Sequence, residues 1–137
     1  MQKIEHIGIA VKNLADSIPL FEKLLNSRCY KTEIVAAEAV KTAFFALGPN
    51  KLELLESTDS EGVIAKYIQK HGEGMHHIAL AVEDTESEMK RLVAEGFQLL
   101  QDQPRPGADN KMVCFLHPKG TGGVLVELVA DKFVDGR

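Results

Sequence analysis

The chain holds only two cysteines, Cys29 and Cys114, in 137 residues. They stand far apart and form no CxxC pair, which argues against a disulfide framework or a thiolate zinc site. Long apolar runs are also lacking. None approaches the roughly 18 residues needed to cross a bilayer, so no membrane association is expected. Basic residues are in deficit, with a formal charge of −4 and a pI of about 5.7. A protein that grips nucleic acid by neutralising phosphates is normally basic, so nucleic acid is not an expected partner. The opening MQKIEHIGIAV has no charged segment followed by a long apolar one, and it is neither Arg-rich nor Ser-rich. No secretory or transit peptide is expected, and a cytoplasmic location is. The composition is 45% hydrophobic and 26% charged, which is ordinary for a globular protein. This length can bury roughly two-thirds of the surface of the unfolded chain.

The sequence repeats itself. Ile4-Glu5-His6-Ile7-Gly8-Ile9-Ala10-Val11 matches Met75-His76-His77-Ile78-Ala79-Leu80-Ala81-Val82 at an offset of 71, and Phe44 falls on Phe115 at the same offset. Leu52-Glu53-Leu54-Leu55 then matches Val126-Glu127-Leu128-Val129 at an offset of 74. The difference of three fits a longer glycine-rich loop in the second copy, where insertions are tolerated. Each copy begins with a strand-like alternation and continues into an amphipathic helix, over about 15–26 with Pro19 near its start, and from an Asp84 cap to about 95. Short strands are expected at about 30–36, 40–47 and 51–56, and again at about 97–101, 111–116 and 124–129. A linking helix over about 60–71, stopped by Gly72, joins the copies. The predicted class is α+β, with tandem β-α-β-β-β repeats (about 1–58 and 74–131) forming one curved mixed sheet. Neither half has enough core to stand alone, so residues 1–137 are expected to form a single domain.

Strand phase singles out four polar residues. Ile7, Ile9 and Val11 share one face of the first strand, and His6, Gly8 and Ala10 share the other. In the repeat, His77 likewise falls with Ala79 and Ala81. Glu53 stands opposite the Leu52 and Leu54 face, and Glu127 opposite Val126 and Leu128. A glutamate within an apolar strand is costly unless it is paired, solvated or bound to a metal. Pseudo-two-fold symmetry would let His6, Glu53, His77 and Glu127 converge. Two imidazoles and two carboxylates suit a divalent ion of intermediate hardness such as Co²⁺, Ni²⁺, Mn²⁺, Fe²⁺ or Zn²⁺. His76 has the opposite strand phase and reads as a bystander that could instead support the site from behind or cap the core. His71 and His117 lie in turns and read as structural or solvent-exposed, although the His117-Pro118-Lys119 loop could reach a substrate. Lys119, Lys111 and Arg105 lie near the glycine-rich turn and read either as a solvated basic face or as local positive charge for phosphates.

This pattern resembles the vicinal oxygen chelate superfamily, the glyoxalase fold. More narrowly it resembles the methylmalonyl-CoA epimerase family along nearly its whole length. The resemblance is carried by IEHIGIAV at 4–11, KLELLE at 51–56, GMHHIALAV at 74–82 and FLHPKGTGGVLVELV at 115–129. It implies metal ligands at His6, Glu53, His77 and Glu127, with Glu127 also the catalytic base. It implies an acyl-CoA substrate, epimerised at C2 by proton removal and return, and a homodimer. Some members place a second catalytic glutamate where Thr42 stands here, with Glu38 the nearest acidic residue before it. Three rivals share the fold. A lactoylglutathione lyase would use the same four ligands. An extradiol dioxygenase uses a three-ligand iron site, against the four candidates here. A metal-free small-molecule binding protein would generally lack the ligand set.

Overall fold

The computed structural model describes residues 1–132, which divide into two compact units. The first unit, His6–His76, contains most of β1 (Lys3–Ala10), then α1 (Leu14–Leu25), β2 (Lys31–Val35), β3 (Val40–Leu47), β4 (Asn50–Ser57) and α2 (Val63–His71). Its strands run in the order β2-β3-β4-β1. β1 pairs with β4 in parallel, and the other pairs are antiparallel. The second unit begins at His77 and also takes in Met1–Glu5. It holds most of β5 (Gly74–Ala81), with α3 (Thr85–Ala94), β6 (Arg105–Pro106), β7 (Lys111–Leu116) and β8 (Val126–Asp131), in the order β5-β8-β7-β6. Here β5 and β8 are parallel and the rest antiparallel. The start of β1 is held in this unit, where Gln2 N–H donates to the Ala81 carbonyl at 2.8 Å. The β-α-β-β-β order expected of each repeat is present.

Local chemistry sets the helix limits. The Asn13 side chain accepts the Asp16 N–H at 2.8 Å, which caps α1. Asn26 ends it in the left-handed region, at φ 50°, a conformation asparagine adopts more readily than most residues. Pro19 lies deeper in α1 than an opening turn, at a solvent-exposed position, and offers no N–H to the Ala15 carbonyl. Gly96, at φ 97°, ends α3, and Phe97 N–H closes back on the Leu92 carbonyl.

In each unit a helix covers one face of the strands. Leu14 of α1, with Ile18, Phe21 and Leu25, packs on Ala43, Phe45, Leu52 and Leu54. Met89 and Leu92 of α3 pack on Cys114, Leu116, Val126 and Leu128. Burying side chains of this size contributes about 1.5–3 kcal/mol each. The opposite face of the first unit is closed at one end by α2, where Ile64 meets Ala10, Val40 and Leu55.

One expected strand is not formed. Residues 97–101 make a single bridge, Leu99 to Leu116, and the edge strand forms further on at Arg105–Pro106. Phe97 and Leu99 pack onto the α3 cluster, and the bridge is flanked by Leu100 N–H to the Phe115 carbonyl and His117 N–H to the Gln98 carbonyl, too short a pairing to make a strand.

Candidate metal centre

Register places each glutamate beside a small residue. Glu53 on β4 pairs with Gly8 on β1, and Glu127 on β8 pairs with Ala79 on β5. Each histidine precedes that small residue by two positions, so it projects from the same face of the same strand. On its other side each glutamate pairs with a phenylalanine, Phe44 on β3 or Phe115 on β7. The small residue leaves room for imidazole and carboxylate to meet, and the phenylalanine walls off water.

Within the first unit His6 Nε2 lies 3.8 Å from Glu53 Oε1. Within the second, His77 Nε2 lies 3.1 Å from Glu127 Oε1. All four residues are buried, at 6–7% exposure. A carboxylate so withdrawn from water must be offset by a partner charge or a cation. The imidazole nitrogen facing it is a donor when protonated and a metal ligand when not, so each pair presents one nitrogen and one carboxylate to an ion. This donor set fits a divalent ion of intermediate hardness. The His77 ring is further fixed by Phe115, whose ring meets it edge-on at 5.6 Å and 83°.

The Glyoxalase/Bleomycin resistance protein/Dioxygenase superfamily profile matches residues 5–115 of this chain. The mitochondrial methylmalonyl-CoA epimerase of Dictyostelium discoideum is 35% identical over 127 residues, covering 92% of this chain and 76% of that protein. The ethylmalonyl-CoA/methylmalonyl-CoA epimerase of Cereibacter sphaeroides is 33% identical over 128 residues, covering 92% and 96%. A variant of the Streptomyces coelicolor methylmalonyl-CoA epimerase, solved in complex with 2-nitronate-propionyl-CoA, superposes with a TM-score of 0.93 at 32% identity, covering 97% and 99%. This chain belongs to the methylmalonyl-CoA epimerase family.

Thr42 is buried at 1% exposure on the same face as Glu53, and its hydroxyl donates to the Glu33 carbonyl at 3.4 Å. Glu38 closes the 3₁₀ turn Ala36–Glu38 just before β3, and its Oε1 is shielded from solvent.

The remaining histidines have structural roles. His71 and His76 both lie against the Tyr67 ring, at 4.5 and 4.9 Å, and the Tyr67 hydroxyl donates to the Met75 carbonyl. His117 caps a 3₁₀ turn through Nδ1, which accepts the Lys119 N–H at 3.0 Å. Lys111 is engaged by the Asp131 carboxylate. The flanking role of Phe44 and Phe115 was not read from the sequence, although their match at the repeat offset was the available signal.

Proposed function

We propose that this protein epimerises methylmalonyl-CoA at C2, with a divalent metal held jointly by His6, Glu53, His77 and Glu127. The observation that carries the reading is the duplicated buried His–Glu pair at equivalent strand positions. The family relatives supply the substrate class. The same proposal takes residues 1–137 as one domain, because four ligands from two repeats need both repeats to act together. When bound, the ion would supply positive charge beside the thioester oxygen, where negative charge develops as C2 loses its proton.

Glu127 acts as the general base. Its ionised carboxylate takes the C2 proton, and the electron pair of the broken C–H bond delocalises into the thioester carbonyl. A proton returned to the opposite face of C2, from Glu38, from Glu53 or through water, inverts the centre, and donor and base then reset through solvent. Phe44 and Phe115 keep bulk water from the anion. A homodimer in the cytoplasm and cobalt as the native ion belong to the same reading, and light scattering and metal analysis of the purified protein check them.

The deciding experiment incubates metal-loaded protein with (2S)-methylmalonyl-CoA in D₂O and follows deuterium entry at C2. Exchange that needs the metal and disappears in Glu127→Gln is the expected result. No exchange with any divalent ion rejects the substrate, and turnover of a glutathione hemithioacetal would then favour the lactoylglutathione lyase reading.

A further inference from the structure

The first unit gathers two cationic groups over one aromatic ring. Phe44 is 1% exposed. Lys31 Nζ lies 5.8 Å and Lys51 Nζ 5.9 Å from its ring centroid. The Tyr30 ring lies 6.1 Å from it and is half exposed. Phe44 is therefore a floor beneath the Tyr30 ring and the ammonium groups of Lys31 and Lys51. Attraction to the ring quadrupole helps hold two like charges near one another.

This cluster shares a face with the His6–Glu53 pair. Lys31 pairs with Phe44 and Phe44 with Glu53 across the strands, and Lys51 is the register partner of His6. Lys31 is also drawn to Glu33 Oε1 at 3.3 Å, but these side chains are 40% and 31% exposed. A wet pair of this kind is weak, so a multiply charged anion can displace it. The repeat does not require these lysines. At the offset of 74, Leu125 stands where Lys51 does. Two ammonium groups beside an exposed aromatic ring suit a phosphate ester attached to a flat base. Strand β2 lies two strand spacings from β4, about 10 Å. Lys51 lies on β4 itself, two residues from Glu53, whereas Lys31 is beyond the reach of a small acyl group at Glu53 and within that of a long handle attached to it.

We propose that Lys31 and Lys51, over Phe44 and beside Tyr30, bind the phosphates of the nucleotide handle of an acyl-CoA. This rests on the acyl-CoA reading above. It places the handle on the first unit and not on Lys119, Lys111 and Arg105 of the second.

The test compares KM for methylmalonyl-CoA with KM for the methylmalonyl thioester of N-acetylcysteamine, which keeps the acyl group and its carboxylate but has no phosphate. In Lys51→Ala, KM for the CoA thioester should rise about tenfold, as expected for one lost charge-assisted contact. Lys31→Ala/Lys51→Ala should raise it further, and neither should raise KM for the truncated thioester. Calorimetric titration with CoA itself gives a second readout that needs no turnover. An equal rise for both thioesters, or a CoA-specific loss in Lys119→Ala with none in Lys51→Ala, overturns the proposal. Wild-type protein that binds CoA but turns over neither thioester fails the epimerase reading and leaves the subsite to the binding comparison. Wild-type protein that binds no CoA overturns the subsite.

Discussion

In the first unit Phe44 lies beneath Tyr30 and two lysines, whereas its counterpart Phe115 sets its ring edge-on against His77. Both phenylalanines pair with the glutamate of their unit, at the same point in the same ladder. The duplicated scaffold thus conserves a position while the surroundings give it different work. The adjacent pairs differ as well, His77–Glu127 closing to 3.1 Å and His6–Glu53 to 3.8 Å. The second unit has the closer pair, and it contains Glu127, the base proposed above.

The sharpest way to test that asymmetry is to neutralise each glutamate. Glu127→Gln should lower the rate of deuterium exchange by about 10²–10⁴-fold even at saturating metal, as expected for loss of a general base. Glu53→Gln should weaken metal binding while exchange recovers as metal is added. Equal behaviour would erase the distinction between ligand and base. The cores offer the next contrast. Leu54 and Leu128 are both fully buried at equivalent repeat positions. Leu54→Ala and Leu128→Ala should each cost about 2–5 kcal/mol in urea unfolding and move one common transition. Two transitions, each moved by one substitution only, would mean that the units fold independently.

A smaller effect is expected at the aromatic pair. Phe115→Leu should weaken Co²⁺ binding about tenfold, by freeing the His77 ring. Phe44→Leu should leave Co²⁺ binding nearly unchanged, and titration of cobalt absorption measures both. The helix caps should give the least. Asn13→Ala should cost about 1 kcal/mol. At Asp84, before α3, the Ser87 hydroxyl donates at 2.6 Å and holds the carboxyl below its ordinary 3.8. A depressed carboxyl stabilises the fold above its unfolded pKa, and that contribution is lost as pH falls through the folded value. Asp84→Asn should therefore be the less stable protein at neutral pH and converge with wild type in acid.

The site was largely legible in the sequence because it is written twice. One histidine on a strand says little. Two at the same phase of a repeat, each answered by a glutamate on a later strand, specify a face and a partner. In the structure His6 lies beside Glu53 and His77 beside Glu127, and the shared site of all four remains the proposal made above. The run at 97–101 misled because apolar residues look alike whether they extend a ladder or cover a helix. Pro19 misled in a smaller way, since it lies past the first turn of α1, on the exposed side, where its ring does not meet the core. Lys31 and Lys51 carried no signal, being 20 residues apart in the chain and alike to any solvated lysine.

The amino-acid sequence determined the repeat, the strand phase and the identity of the four polar residues. Those depend on periodicity, which local backbone geometry enforces: alternate residues of a strand share a face wherever the strand sits. Pairing between strands was decided only in the tertiary structure. Hydrogen-bond register put Gly8 beside Glu53, Phe115 beside Glu127, and the ammonium groups of Lys31 and Lys51 over one ring. Register depends on turn geometry and on which apolar faces are buried against which helix, and no single segment contains that information.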